Sequence, residues 1–189
     1  MAYYGLSNPF IAKLDVAKGT YSDGFQCGEA VGSNVTPNYI EGSLHGDNKL
    51  VEYVKIFKDA DVTLTVTTLP LKAAEIMFGH EISEENNSET DSVDDEANYV
   101  GYGFIAQEIK NGVVSYPAAW LPKVKFSEPA ESFTTNGDSI TFGTPQVSGK
   151  AASDASTKWR YKQTFATHEE AVAWLKEKAN ITKSVAGAG

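Results

Sequence analysis

Short runs in which apolar and polar side chains alternate dominate this chain of 189 residues. In residues 61–68, three apolar side chains alternate with threonines, so one face of an extended segment is apolar and the other carries hydroxyls. Residues 49–57 alternate less regularly, and residues 58–60 between the two runs have the character of a short loop. The pattern therefore predicts a β-hairpin over residues 49–68.

The dipeptide Asn111-Gly112 marks a second hairpin, because both residues tolerate the positive φ angles of a type I′ turn. It separates strand patterns over residues 99–110 and 113–126. β-branched and aromatic residues favour further strands. These are predicted over residues 10–16, 25–31, 35–40, 139–147 and 158–165.

Two segments have helical signatures. Residues 71–78 follow Pro70, which favours a helix start, and precede Gly79, which suits a C-terminal cap. Residues 167–170 read Thr-His-Glu-Glu, a capping box, and the apolar residues after them are spaced to form one helical face. The predicted fold class is mainly β (α+β), with one short helix and one C-terminal amphipathic helix that covers a sheet.

Acidic residues outnumber basic ones by 25 to 16, which gives a net charge of −9. Residues 80–97 hold eight of these acids and no Lys or Arg, so repulsion and poor hydrophobicity predict a solvated acidic loop there. Outside that segment the charges nearly balance. A surface for nonspecific binding of nucleic acid is excluded, because such binding relies on clustered Lys and Arg to neutralise phosphates.

Neither a membrane span nor an export signal is predicted. The longest apolar or glycine run, residues 99–106, is too short to cross a bilayer, so no membrane partner is expected. Charged residues interrupt the first twenty positions and leave no apolar core for a signal peptide.

The sequence offers one candidate metal cluster, in the acidic segment. Asp91, Asp94, Asp95 and Glu96 could gather a calcium ion, but their spacing matches no EF-hand loop and lacks its central glycine. The single cysteine, Cys27, excludes an internal disulfide and a cysteine zinc site. No metal and no cofactor are therefore predicted.

A search for catalytic residues gives only a weak candidate. Ser43, His45 and Asp47 alternate on a polar stretch, but no nucleophile-elbow motif accompanies them, and the surrounding turn-forming residues favour a turn with an exposed histidine. His80 opens the acidic loop, and His168 stands beside the helix cap. No catalytic constellation is found, so the chain is not predicted to be an enzyme.

Two aromatic and glycine patterns have structural explanations. The glycines of Gly101-Tyr102-Gly103 loosely imitate a dinucleotide fingerprint, but the strand pattern around them leads to the turn at Asn111-Gly112 and not to a helix. Trp120 or Trp159 could form an exposed platform for a sugar. Without a basic groove around them, packing in the core or an interface is the default expectation for the tryptophans.

Several stretches resemble the major tail proteins of long-tailed bacteriophages, which form the tail tube. They are YGLSNPFIA (residues 4–12), the strand pattern around residues 64–66 with PLKAAE (residues 70–75), and YVGYGF (residues 99–104). Their order agrees as well. The capped helix after His168 and the Gly/Ala-rich tail extend the resemblance over most of the chain.

The resemblance implies a single domain over residues 1–189 with a tail-tube fold, in which two β-sheets pack as a sandwich or small barrel beside a helix. Six copies would form a ring, and stacked rings would form the conduit for genome delivery. The implied partners are further copies of the chain, a tape-measure protein, a tail terminator, and tail-tip or distal tail proteins. Genomic DNA would only pass through the lumen, and the tail would be assembled in the cytoplasm of the host bacterium.

The resemblance also implies contacts between subunits at an N-terminal arm (residues 1–9), a loop (residues 41–49) and a C-terminal tail (residues 180–189). The candidate contact residues are Tyr3, Tyr4, Leu6, Asn8, Glu41, Ser43, Leu44, His45, Asp47 and Ile181. Frayed termini and an ordinary turn are the alternative explanation of these segments. The alternative function is a β-sandwich module of a phage particle that binds carbohydrate or a host surface.

Overall fold

The computed structural model describes residues 2–83, 85–131, 135 and 142–181. It is 59% strand and 11% helix, which confirms the mainly β class predicted from the alternating pattern. The strands are β1 (Ala2–Asp15), β2 (Thr20–Gln26), β3 (Ala30–Gly46), β4 (Lys49–Val66), β5 (Glu81–Ser83), β6 (Ser88–Thr90), β7 (Tyr99–Lys110), β8 (Val113–Ser127), β9 (Gln146–Ala152) and β10 (Tyr161–Phe165).

Eight strands form one antiparallel sheet in the order β2-β1-β7-β8-β9-β4-β3, with β10 paired to β8 beside this path. One edge of β8 pairs with β7. Along its other edge, β10 pairs with residues 116–120 and β9 pairs with residues 123–127. Strands β5 and β6 form a separate two-stranded sheet.

The large sheet folds over on itself. Strands β3 and β7 are four places apart in the sheet order, yet the hydroxyls of Ser33 on β3 and Tyr102 on β7 share a hydrogen bond of 2.7 Å. The two layers enclose one core, which includes Ile11, Val62, Leu64, Val66, Tyr102, Leu121, Val124, Phe126 and Val147. Two separate sheets were expected, whereas β9 joins the layers into one continuous hydrogen-bonded sheet.

Helix α2 (His168–Lys178) covers the outer face of the layer that contains β1, β7 and β8. Its predicted capping box is confirmed: the Thr167 hydroxyl accepts from the Glu170 amide, and the Glu170 carboxylate accepts from the Thr167 amide. Leu175 is fully buried in a second core together with Phe10 and Trp120. Neither α2 nor any other helix of the described residues is long and apolar enough to span a membrane.

The predicted short helix is present and closes one end of the main core. Helix α1 (Leu71–Ala73) continues as a π-helical segment (Ala74–Phe78), and Gly79 ends it with a φ of 85°. Glycine adopts this left-handed conformation without the steric cost that a Cβ imposes. Ile76, Met77 and Phe78 are buried in the main core.

One of the two predicted hairpins is confirmed and the other is wrong. Strands β7 and β8 meet at Asn111 and Gly112, with φ angles of 52° and 80°. The hairpin predicted over residues 49–68 is instead one continuous strand, β4, which pairs with β3 through a turn at Asp47 and Asn48. The turn forms there because both residues adopt positive φ, whereas residues 58–60 stay extended against Pro37 and Asn38 on β3.

Most of the other predicted strands overlap observed strands, but their lengths differ. Residues 10–16 belong to the longer β1, and the predicted strand over 25–31 is divided between the end of β2 and the start of β3. Of the strand predicted over 139–147, residues 139–141 lie outside the described residues, and β9 begins only at Gln146.

Candidate functional site

Beyond residue 38 the β3–β4 hairpin extends past the other strands of the large sheet, and, among the described residues, only its base, at Phe57, packs against the main core. Strand β9 pairs with β4 only over residues 60–65, so the backbone of residues 39–57, called the arm below, pairs only with itself among the described strands. At about 3.3 Å per residue, its eight residues on β3 reach about 26 Å. A two-stranded hairpin alone is marginally stable in water, so a partner surface would stabilise this arm.

One face of the arm is apolar and exposed. Ile40 lies opposite Ile56, Gly42 opposite Val54, and Leu44 opposite Glu52, and directly paired residues point to the same side of a sheet. The apolar face carries Ile40, Leu44, Val54 and Ile56, whose exposed fractions are 59%, 61%, 46% and 58%, together with Glu52 near the tip. A contiguous apolar surface of this kind marks an interaction site.

The opposite face of the arm carries the charged pair Glu41 and Lys55 among the aromatic side chains of Tyr39, Tyr53 and Phe57, and contacts between them order it. Lys55 forms an ion pair with Glu41 and lies 4.6 Å from the centre of the Tyr39 ring. The hydrogen bond between the two charged groups lowers the pKa of Glu41 and raises the pKa of Lys55. Because both groups are exposed, this pair adds little to stability, but it distinguishes the two faces.

The base of the arm is held by polar contacts. The Asn38 amide donates to Asp59 Oδ1 and Asp61 Oδ2, each at 2.7 Å, and Lys150 Nζ lies 2.6 Å from Asp61 Oδ1. The Asn38 hydrogen bonds, followed by Lys150, lower the pKa of both aspartates. The arm therefore leaves the body from a fixed position.

The contact residues predicted at 41–49 lie on the arm, but not in a loop. Glu41, Ser43 and Leu44 are strand residues, and only the tip around Asp47 turns. His45 precedes that turn and is exposed, as the sequence predicted for a histidine beside a turn. Leu44 is the one member of the predicted set that lies on the apolar face.

The predicted N-terminal arm does not stand apart from the body over residues 2–9. Tyr3, Tyr4 and Leu6 lie on β1 opposite residues 106–108 of β7. The side chains of Tyr3 and Tyr4 are nevertheless 67% and 46% exposed. They remain available at the surface as strand residues.

Asn8 and Ile181 make contacts within the chain. The His168 imidazole lies 2.9 Å from Asn8 Oδ1, and the Asn8 amide donates to Gln26. Ile181 packs against the core beneath α2. Residues 182–189 of the predicted C-terminal tail lie outside the described residues.

The acidic segment is more ordered than a solvated loop. Strands β5 and β6 form a hairpin within it, and Ile82 packs against the main core. The acidic side chains of this segment that lie within the described residues are largely exposed, which is why charge and composition alone indicated a loop. The hairpin packs against the core through a single apolar side chain, Ile82, and one such residue is too weak a signal to predict the hairpin from the sequence.

His80 lies in this segment, is only 5% exposed, and is surrounded by carboxylates. Its Nδ1 is 2.7 Å from Glu89 Oε1 and 3.1 Å from Asp91 Oδ1, and its Nε2 is 3.1 Å from Glu128 Oε1. Burial opposes the imidazolium, but the hydrogen bonds with Glu89 and Glu128 and the charge of Asp91 raise the pKa of His80 above its ordinary value. Sequence reasoning missed this cluster, since Glu128 is distant in sequence.

The tryptophans do not form the sugar platform considered from the sequence. Trp120 is 1% exposed, so its assignment as a platform is wrong. The Trp159 ring stacks on Phe57 at 4.7 Å, and the Arg160 guanidinium lies 4.3 Å from its centre. These contacts occupy the ring surface that a sugar would need.

The arm is thus the feature of the described chain that most clearly requires a binding partner. It combines an extended reach, an ordered base and an apolar face. Comparisons of the chain with models of protein families and with curated proteins find no match. The proposal below therefore depends on the residues and on this geometry.

Proposed function

We propose that this chain is a structural, non-enzymatic subunit that self-assembles into the tail tube of a long-tailed bacteriophage. The observation that carries the proposal is the arm, with four exposed apolar side chains on one face. The resemblance of residues 4–12, 70–75 and 99–104 to major tail proteins supports it. In this role the subunits form stacked hexameric rings that serve as the conduit for DNA ejection.

The partner of the arm is a second copy of the chain. The apolar face of the arm and the body of the protein are different surfaces, so docking of one on the other is a head-to-tail contact, which generates closed rings or open filaments. The large sheet also ends in two edge strands, β2 and β3, and unpaired strand edges favour the addition of a neighbouring chain. A tube requires contacts of this repeating kind.

The charge of the chain suits a channel for DNA. A net charge of −9 gives DNA little to bind, so a genome would pass along a wall of such subunits without being retained. The tape-measure protein, the tail terminator and the distal tail proteins would then meet the tube inside and at its ends. This division of roles is part of the same proposal.

Substitution of the apolar face tests the proposal. We expect Leu44→Lys combined with Ile56→Lys to raise the concentration required for assembly by at least about tenfold, because burial of each side chain contributes about 1.5–3 kcal/mol. Sedimentation velocity over a concentration series measures the change. The thermal stability of the dispersed subunit should hardly change, because both positions are exposed.

Val93→Lys is the matched control, since Val93 is fully exposed and lies outside the arm. It should assemble like the unmodified protein. Equal assembly by the arm variant and the unmodified protein would overturn the role of the arm.

A further inference from the structure

The His80 cluster places a buried imidazole among three carboxylates. The imidazole is 5% exposed, and three carboxylates approach it from two separate parts of the chain. Glu89 and Asp91 come from the end of the β5–β6 hairpin, whereas Glu128 follows β8. The cluster therefore joins that hairpin to the body of the protein.

The two ring nitrogens have different surroundings. When Nε2–H donates to Glu128, as the 3.1 Å separation allows, Nδ1 keeps only a lone pair. That lone pair is aimed at the Glu89 carboxylate, and the Asp91 carboxylate lies 3.1 Å from the same nitrogen; neither can donate a hydrogen bond when ionised. A buried imidazole with carboxylates at both nitrogens is satisfied either by a proton on each nitrogen or by a metal ion that takes the place of the proton on Nδ1.

We propose that His80 Nδ1, Glu89 and Asp91 bind a divalent transition-metal ion, with Glu128 orienting the imidazole. One atom from each of the three ligands lies within 4.8 Å of the others. Two ligands about 2.1 Å from an ion are about 3 Å apart when they are neighbours in an octahedron. The 2.7 and 3.1 Å separations of Nδ1 from the two carboxylate oxygens are close to that spacing.

The ligand set indicates which metal ions fit. An imidazole nitrogen suits Zn²⁺ and related ions, whereas Ca²⁺ and Mg²⁺ prefer sites made only of oxygen. A carboxylate on the second ring nitrogen is the usual companion of a metal-binding histidine, since it fixes the tautomer and the ring orientation. Glu128 occupies that position. With water completing the coordination, the ion fastens the β5–β6 hairpin to the end of β8.

Zinc titration of the full-length protein tests this site. We expect Zn²⁺ to bind in a 1:1 ratio by native mass spectrometry and calorimetry, and to raise the melting temperature, because a ligand that binds only the folded state stabilises it. Asp91→Asn should weaken binding by about tenfold or more. Asp91 has a 66% exposed side chain, so this variant should fold normally.

Glu85→Gln is the matched control, since it removes one exposed charge from the same segment without touching His80. It should bind Zn²⁺ like the unmodified protein. Equal weakening in both variants would overturn the proposal in favour of diffuse attraction to the acidic segment. Absence of zinc-dependent stabilisation would overturn it as well.

The pH dependence separates a metal ion from a proton at Nδ1. The ionisable groups that face His80 among the described residues are Glu89, Asp91 and Glu128. If a proton alone fills the site, its stabilisation is complete below the unfolded histidine pKa and is lost as pH rises through the raised folded pKa. Zinc affinity should instead increase over that range, because the nitrogen must be deprotonated to bind. Metal-independent stability that falls with pH, without a zinc effect, contradicts the proposal.

Discussion

Gly101 and Gly103 show how single residues position the second core. Both lie against the Trp120 indole, and a Cβ at Gly103 would stand 2.6 Å from Trp120 Cε3 and 2.7 Å from Leu175 Cδ2. A Cβ at Gly101 would collide with Trp120 and stand 2.7 Å from Tyr21 Cε1. These glycines, which superficially resemble a dinucleotide fingerprint, allow the tryptophan to lie flat on the strand.

Gly101→Ala should destabilise the protein by about 1–3 kcal/mol, because the added methyl group overpacks the contact with Trp120. Urea unfolding followed by tryptophan fluorescence measures the loss. Gly42→Ala is the matched control in another strand, since a Cβ there would have no neighbour within 4 Å. Similar stability of the two variants would contradict the packing role of Gly101.

At the scale of elements, the sequence correctly predicted the turns and helix caps that are formed by residues adjacent in the chain. The turn at Asn111-Gly112, the glycine cap at Gly79 and the capping box at Thr167 are each written in a few adjacent residues, and each is present. The strand β4 was misread because its partner, β3, precedes it, and pairing with β3 keeps residues 58–60 extended. Neighbouring residues alone do not specify that pairing.

The capping box gives a test of local stabilisation. Thr167→Ala should cost about 1 kcal/mol, because it leaves the Glu170 amide without its side-chain acceptor at the start of α2. Thr167→Ser keeps the hydroxyl and should remain close to the unmodified protein. Chemical denaturation of the three proteins compares them, and equal losses in both variants would show that the hydroxyl is not the stabilising group.

At the scale of the whole molecule, the class of fold could be predicted from the sequence, but the way in which its two layers join into one sheet could not. Alternation in residues 61–68, which include the end of β4, indicated a strand with one apolar face, yet β9 joins the two layers through pairs distant in sequence, such as Ala60 with Ala151. Within the arm, residues 49–57 were predicted as a strand, whereas residues 41–49 were predicted as a loop. Its apolar face became visible when the register placed Ile40 opposite Ile56. The His80 cluster escaped prediction for the same reason.

The proposed self-assembly accounts together for the arm, the sheet edges and the acidic charge. The most direct measurement is negative-stain electron microscopy of the concentrated purified protein, together with its mass by light scattering. We predict rings or hollow tubes, because a head-to-tail contact that closes must repeat around an axis, and sixfold symmetry, because the resemblance to major tail proteins implies six copies in a ring. A monomer at every concentration, or an assembly without a central channel, would contradict the proposed tail-tube function.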